Sequence, residues 1–175
     1  MNTMANYIKT SDLRILFLFN QSLHCLILDI SMNIVTQLGS LLFAVAVPLA
    51  LLFSGDDNLV SIGIRITLVL VCSESLIFLV KRLVNRPRPF KVFDDIINHK
   101  PTNCQYSFPS GHTCAAFSLA FVLAASFPEF GLIFMILASL VGFSRIYLGV
   151  HYPTDVMVGL MTAYASFMVN SRAFF

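Results

Sequence analysis

The amino-acid sequence predicts an all-α integral membrane protein, a helical bundle of five to six transmembrane helices in a single domain that covers residues 1–175. Its composition is the first observation behind this prediction. Apolar residues make up 57% of the chain and charged residues only 11%, against roughly 25% charged residues in an average soluble protein. So few charges could not cover a soluble globule, and a disordered chain needs low hydrophobicity with high charge. The mean hydropathy of +0.81 points the same way.

Apolar stretches near the length of a spanning helix, about 20 residues, are the second observation. Residues 13–30 are apolar only in part. Their polar side chains allow either a span or half-span, or an amphipathic helix that lies in the membrane interface. Five clearer stretches follow along the chain, and each is a predicted transmembrane helix: residues 34–53, 59–80, 113–127, 130–143 and 152–169.

The charge and cysteine patterns argue against nucleic acid and metal ions as ligands. The net charge is +2 and no basic block is present, so nucleic acid is not an expected partner. The four cysteines have no spacing typical of metal ligands. Two histidines and one aspartate could in principle bind zinc, but neighbouring arginines and lysines would repel a cation. We therefore expect neither a metal nor another cofactor.

One long polar stretch, residues 81–110, gives the first indication of function. A loop of this length in a compact chain is usually functional. Counting membrane crossings on either side of it places three separated segments on the same membrane face: residues 81–89, 109–112 and 144–155. Hydropathy alone therefore predicts that these three segments converge.

The segment 109–112 has the pattern of a helix start. Ser110 precedes an apolar run and is a predicted N-cap, and Gly111 leaves the first turn open. Free backbone amides and the helix dipole make such an end an anion site. The alternative is an ordinary capped helix from which His112 extends towards water.

The segment 81–89 supplies positive charge. Arg88 can form two parallel hydrogen bonds to phosphate oxygens, and Lys81 acts as a point charge. The alternative is a basic cluster that contacts anionic headgroups or keeps the loop in the cytoplasm. Glu74 lies seven residues before Lys81, and it is expected either to pair with that lysine or to be a protonated carboxyl that contacts another helix.

The segment 144–155 contains Arg145, His151 and Asp155. A helix would place His151 and Asp155, which are four residues apart, on one face. The carboxylate could then accept from one ring nitrogen and leave the other free as a nucleophile. The alternative is a structural His–Asp pair between two helices. Taken together, the three segments hold the groups needed for phosphoryl transfer to a histidine.

The chain resembles the type 2 phosphatidic acid phosphatase superfamily of membrane lipid phosphatases, which is related to the vanadium haloperoxidases. The family signature has three parts, K-x6-R-P, P-S-G-H and S-R-x5-H-x3-D. Every defined position is present, in the right order and spacing, within residues 81–155. Each part alone is weak, but the three together are highly specific.

The resemblance implies a helical bundle with its active site at one membrane face and a metal-independent hydrolysis of phosphate esters. It implies that His151 attacks phosphorus and forms a phosphohistidine, and that Asp155 orients His151. It implies that His112 protonates the leaving oxygen and then activates water. The residues implied to hold the phosphate oxygens are Lys81, Arg88, Ser110, Gly111 and Arg145.

The expected partners are therefore a lipid phosphate substrate and the surrounding membrane lipids. Undecaprenyl diphosphate, phosphatidylglycerophosphate, phosphatidic acid and lipid A phosphate are all candidate substrates. One alternative is a phosphotransferase that takes phosphate from a polyprenyl diphosphate. Another is a non-enzymatic protein that binds or transports anionic lipids.

The sequence also bears on which side of the membrane the three converging segments face. The loops opposite the converging segments, residues 54–58 and 127–130, contain acidic residues and no lysine or arginine. The positive-inside rule would therefore place the converging face in the cytoplasm. Basic residues that serve catalysis weaken this rule, and bacterial members of the family that the chain resembles usually face outwards. The sequence prediction is a bacterial inner-membrane protein whose active site faces the periplasm or exterior.

Overall fold

The computed structural model describes residues 2–98 and 104–174. Apart from one antiparallel bridge between Pro87 and Tyr106, every regular element within these residues is a helix. The all-α prediction is therefore confirmed. The α-helices are α1 (Asn2–Phe17), α2 (Leu26–Val35), α3 (Leu41–Leu52), α4 (Asp57–Val84), α5 (Pro89–Val92), α6 (Gly111–Ser126), α7 (Gly131–Tyr147) and α8 (Pro153–Phe174). A π-helical turn, Leu18–Ser22, and two 3-10 turns, Thr36–Gly39 and Pro128–Phe130, connect them.

Two segments are long and apolar enough to cross a membrane, namely α4 and the segment Pro128–Tyr147. The helical pair Thr10–Ser22 and Leu26–Gly39 passes the same test only as a span bent by 119°. Helices α3 and α6 are apolar but shorter. By length and composition the described residues thus contain two candidate spans, or three with the bent pair, which is fewer than the five to six expected from the sequence.

The N-terminal region departs from a straight span because its polar residues bind other parts of the chain. Asn20 is completely buried. Its amide donates to the carbonyl oxygens of Ile97 and Tyr147 at 2.9 and 2.8 Å, and its oxygen accepts from the Ile97 amide at 2.9 Å. A polar side chain that would be costly in lipid is thereby satisfied inside the protein. The chain then turns and continues as α2.

The predicted span over residues 34–53 is also wrong in its first part. Helix α2 ends at Val35, the 3-10 turn follows, and α3 begins only at Leu41. Ser40 separates them because its hydroxyl accepts from the Phe43 amide at 3.3 Å and so caps α3. The remaining predicted helices, over residues 59–80, 113–127, 130–143 and 152–169, are present with bounds shifted by a few residues.

Helix α6 is the centre of the bundle and packs against α4, α7 and α8. It is rich in small residues, and nearly all of its first eight side chains from Thr113 onwards are buried. Small side chains let neighbouring backbones approach closely in an apolar environment. A hydrogen bond of 3.0 Å between the hydroxyls of Ser73 and Ser118 joins α4 to α6. The first turn of α6 is therefore held firmly at one end of the bundle.

Gly39 brings the N-terminal half against that first turn. A Cβ at this position would clash with the carbonyl oxygen of His112 and lie 2.8 Å from Val141 Cγ1. Only a residue without a side chain fits this contact between the 3-10 turn, α6 and α7.

Replacing Gly39 by alanine is therefore expected to destabilise the protein by about 1–3 kcal/mol, the usual cost of overpacking. Thermal unfolding in detergent measures this. Gly131→Ala is the matched control, because a methyl group there meets only Ala124 Cβ at an ordinary 3.5 Å. The control should unfold at or above the wild-type temperature. Equal unfolding temperatures for Gly39→Ala and the wild type would contradict the packing described.

Candidate active site

The three segments predicted to converge do meet at one end of the bundle. Arg88 Nη1 lies 3.4 Å from His151 Nε2. The Ser110 backbone amide donates to the Asp155 carbonyl oxygen at 3.0 Å. Residues 81–89, 109–112 and 144–155 therefore share one site, as the hydropathy predicted.

Arg88 is fixed by the turn that ends α4. Asn85 adopts a left-handed conformation, with φ of 51°, and terminates the helix. Arg88 follows at the start of α5 and is buried. Its Nε donates to the Cys104 carbonyl at 2.8 Å and its Nη1 to the Val150 carbonyl at 3.0 Å. These two bonds hold the guanidinium plane beside His151.

Arg145 and Lys81 lie in the last turns of α7 and α4. Arg145 is only 1% exposed, and its Nη1 donates to the Thr36 hydroxyl at 2.7 Å. Its Nε is buried without a hydrogen-bond partner in the described part of the chain. Lys81 Nζ lies 3.8 Å from Cys104 Sγ. A buried donor without an acceptor is costly, which makes this position a candidate anion site.

His151 lies in the short loop between α7 and α8. Gly149 turns the chain with a φ of +72°, and a Cβ there would lie 2.6 Å from the Ile97 carbonyl oxygen. The Arg145 carbonyl then accepts from the His151 amide at 3.2 Å. Burial, together with the positive charge of Arg145 and Arg88, holds the pKa of His151 well below its usual 6.5. The imidazole is therefore expected to be neutral near pH 7.

Asp155 lies beside His151, but the two do not share a helix as their spacing suggested. Helix α8 begins only at Pro153. The Asp155 side chain instead closes the first turn of α8, because its Oδ2 accepts from the Tyr152 amide at 2.9 Å. The same Oδ2 lies 3.5 Å from His151 Nδ1, longer than a normal hydrogen bond. The carboxylate faces the imidazole without a close bond to it.

Ser110 caps α6 as predicted. Its Oγ accepts from the Thr113 amide at 3.4 Å and from the Thr113 hydroxyl at 2.9 Å. Because both bonds use Ser110 as an acceptor, its hydroxyl hydrogen can be donated to a ligand. His112 follows within the first turn and is partly exposed.

Gly111 is not required by packing. A Cβ there would lie 3.5 Å from Glu74 Oε2, which is an ordinary contact. Glu74 therefore lies directly beneath the helix start, and its Oε1 is buried without a hydrogen-bond partner among the described residues. The expected pairing of Glu74 with Lys81 stays a prediction.

Arg86 is the main residue to which sequence reasoning gave no role. Its guanidinium contacts Asp155 Oδ1 and Asp12 Oδ2, each at 2.8 Å, and lies 3.7 Å from the centre of the Tyr152 ring. Asp12, in α1, is 3% exposed. No sequence signal distinguishes Asp12, because half of the residues of α1 are polar or charged.

The charge of the site suits an anion. Among residues 2–98 and 104–174, no three His, Cys, Asp or Glu side chains come together as a metal site. Three cations do cluster around His151, namely Lys81, Arg88 and Arg145, and each contributes to the fall in its pKa.

Comparison with known proteins gives consistent matches. The model of the PAP2 superfamily matches residues 58–175. The undecaprenyl-diphosphatase of Sulfolobus acidocaldarius is 34% identical over 109 residues, which is 61% of this chain and 53% of that protein. The lipid A 1-phosphatase of Rhizobium johnstonii is 37% identical over 105 residues, 57% of this chain and 42% of that protein. The chain thus spans about half the length of these relatives.

One solved structure is similar to this chain over nearly the whole length of both proteins. The crystal structure of Aquifex aeolicus LpxE aligns with a TM-score of 0.82 and 28% identity. The alignment covers 91% of this chain and 94% of LpxE. The aligned region therefore includes elements that precede residue 58, where the match to the superfamily model begins.

Replacing Arg88 by lysine is expected to weaken the binding of inorganic phosphate by about 1–3 kcal/mol, because an ammonium group cannot reproduce the fixed planar fork. Isothermal titration of the detergent-solubilised protein measures this. Arg82→Lys is the matched control, since Arg82 lies six residues before Arg88 in the last turn of α4, is exposed, and lies over the Phe78 ring. An unchanged phosphate affinity in Arg88→Lys would mean that Arg88 does not contact the anion.

Proposed function

The chain belongs to the PAP2 superfamily, and from this membership we propose that it is a metal-independent phosphatase that hydrolyses a phosphate monoester or diphosphate of a membrane lipid. One observation carries the proposal. His151 presents Nε2 to the Arg88 guanidinium and Nδ1 to the Asp155 carboxylate. A buried, neutral imidazole placed between a cation and a carboxylate is arranged to attack a phosphate that the cation binds.

In the first step, His151 Nε2 attacks phosphorus. A nitrogen–phosphorus bond forms and the bond between phosphorus and the lipid oxygen breaks. His112 donates a proton to the departing oxygen. The phosphorylated imidazole is positively charged, and the nearby Asp155 carboxylate stabilises that charge.

In the second step, water attacks the phosphohistidine. His112, now neutral, takes a proton from the water, the nitrogen–phosphorus bond breaks, and inorganic phosphate leaves. The charge on the phosphoryl oxygens is neutralised throughout by cations and by the helix start. The groups proposed to hold these oxygens are Lys81, Arg88, Arg145, the Ser110 hydroxyl and the Gly111 amide.

The relatives support a lipid as substrate, since one is named an undecaprenyl-diphosphatase and another a lipid A 1-phosphatase. We propose five spans, α3, α4, α6, α7 and α8, with the bent N-terminal pair as a sixth. We place the protein in a bacterial inner membrane with its site towards the periplasm or exterior. The chain's similarity to LpxE over nearly its whole length supports the bundle.

A panel of lipid phosphates tests the function. With excess EDTA present, purified protein should release inorganic phosphate from at least one of undecaprenyl diphosphate, phosphatidylglycerophosphate, phosphatidic acid and lipid A. Release that stops in EDTA and returns with a divalent cation would contradict the mechanism. Transfer of the phosphate to a second lipid, without release, would identify a phosphotransferase. Binding of all four lipids without either reaction would identify a binding or transport protein.

Replacing each of the two site histidines by alanine should affect phosphoenzyme formation differently. His151→Ala removes the nucleophile and should form no phosphoenzyme from any substrate. His112→Ala removes a proton donor that is worth about 10²–10⁴ in rate for a poor leaving group. It should still accept phosphate from p-nitrophenyl phosphate, whose leaving group needs no proton, and then accumulate phosphohistidine.

Acid-quenched trapping of labelled protein measures this difference. His24→Ala is the control, because His24 pairs with Asp29 on the N-terminal segment and should turn over normally. Label on the His151 variant and none on the His112 variant would show that the two roles are reversed.

A further inference from the structure

Asp12 stands apart from the other buried charges because it comes from α1, before residue 58, where the match to the superfamily model begins. Both oxygens of its carboxylate accept hydrogen bonds. Oδ1 accepts from the Thr154 amide at 2.9 Å, and Oδ2 accepts from the Thr154 hydroxyl at 2.6 Å and from Arg86 Nη2 at 2.8 Å. Helix α1 is thereby joined to the start of α8 through charged and polar groups.

Arg86 transmits this contact to the candidate active site. Its Nη1 donates to Asp155 Oδ1 and to the Thr154 hydroxyl, each at 2.8 Å. Asp12 accepts from Nη2, and the Tyr152 ring covers one face of the guanidinium. The guanidinium of Arg86 is therefore fixed in position by both carboxylates and by the ring. With Oδ1 fixed in this way, Asp155 directs Oδ2 towards His151 Nδ1.

The net charge of this group of residues also favours a role for Asp12 in the site. Asp12, Arg86 and Asp155 together carry a net charge of −1 when both carboxylates are ionised. Three cations, Lys81, Arg88 and Arg145, also lie near His151. Neutralising Asp12 would leave the ion group with no net charge, and a positively charged phosphohistidine would then be less stable.

We propose that Asp12 is a positioning residue for the active site, which acts through Arg86 to fix and charge-balance Asp155 beside His151. The N-terminal helix therefore completes the site, although it contributes nothing to the three sequence motifs. This inference rests on the proposed phosphatase function.

The test compares Asp12→Asn with Leu16→Ala. Leu16 lies one turn further along the same helix, is fully buried, and packs among Ile96, Ile146 and Tyr152. Its replacement loosens α1 without removing a charge. Three quantities are measured for each detergent-solubilised variant: kcat and KM for the best lipid, the affinity for vanadate, and the affinity for inorganic phosphate.

Asp12→Asn should lower kcat by about tenfold or more, the loss typical of a partner that orients an acting group. KM and phosphate affinity should change by less than about threefold, because Asp12 does not contact the phosphate-binding groups. Vanadate affinity should fall with kcat, since vanadate bonded to His151 mimics the transition state. Leu16→Ala should lower the unfolding temperature but keep kcat and vanadate affinity.

Wild-type kcat and vanadate affinity in Asp12→Asn would overturn the proposal. So would an equal loss in Leu16→Ala at a temperature where both variants are folded, because α1 would then act through packing alone. A second check is the pair Arg86→Gln and Asp12→Asn/Arg86→Gln. The double variant should be no slower than Arg86→Gln, as expected when residues act as a unit.

The same measurements distinguish a failure of the phosphatase proposal from a failure of the Asp12 proposal. If the wild type binds vanadate but releases no phosphate from any lipid, the phosphatase assignment is wrong, and the dependence of vanadate affinity on Asp12 still decides the positioning role. A wild type that binds neither vanadate nor phosphate would overturn both proposals.

Discussion

The ion pairs that Arg86 makes with Asp12 and Asp155 are the interaction on which the rest of the site depends. Removing three charges from water is costly unless each is paired and hydrogen-bonded, and here one guanidinium satisfies both carboxylates. The pairing joins α1, the loop after α4 and the start of α8, which are far apart in the sequence. His151 lies two residues before α8, so the helix start that faces it takes part in the same contact.

The arginines of the site divide into two kinds. Arg86 is neutralised by carboxylates and serves to build the site. Among the described residues, the hydrogen bonds of Arg88 and Arg145 go to neutral groups, namely the carbonyls of Cys104 and Val150, the His151 ring and the Thr36 hydroxyl. Neither guanidinium forms a salt bridge with a carboxylate within residues 2–98 and 104–174. The structure thus separates the cation that holds the protein together from those that are available to an anionic ligand.

Much of this arrangement can be predicted from sequence, and the parts that cannot have a common cause. Hydropathy placed Lys81, His112 and His151 at one end of the bundle because an apolar helix must begin and end near the membrane faces. The same reasoning treated Asn20 as an interruption of an apolar stretch and gave Asp12 no role. Asp12 and Asn20 are in fact satisfied by partners about 75 or more residues away, and hydropathy contains no information about such pairs. It placed the start of α8 within one residue of Pro153, but the cap that Asp155 forms there is again a contact that hydropathy does not encode.

The short length of α6 has a consequence for the membrane itself. With 16 residues, it rises about 24 Å, less than the hydrocarbon thickness of about 30 Å. Ser110 and His112 lie at one end of this helix. If α6 is one of the proposed spans, the bilayer around it would be locally thinner, or a phosphate held at this helix start would lie below the plane of the neighbouring headgroups. Under that proposal, hydrophobic mismatch would bring the lipid phosphate towards the site, and the thickness of the host membrane would be expected to change the rate at which lipid enters.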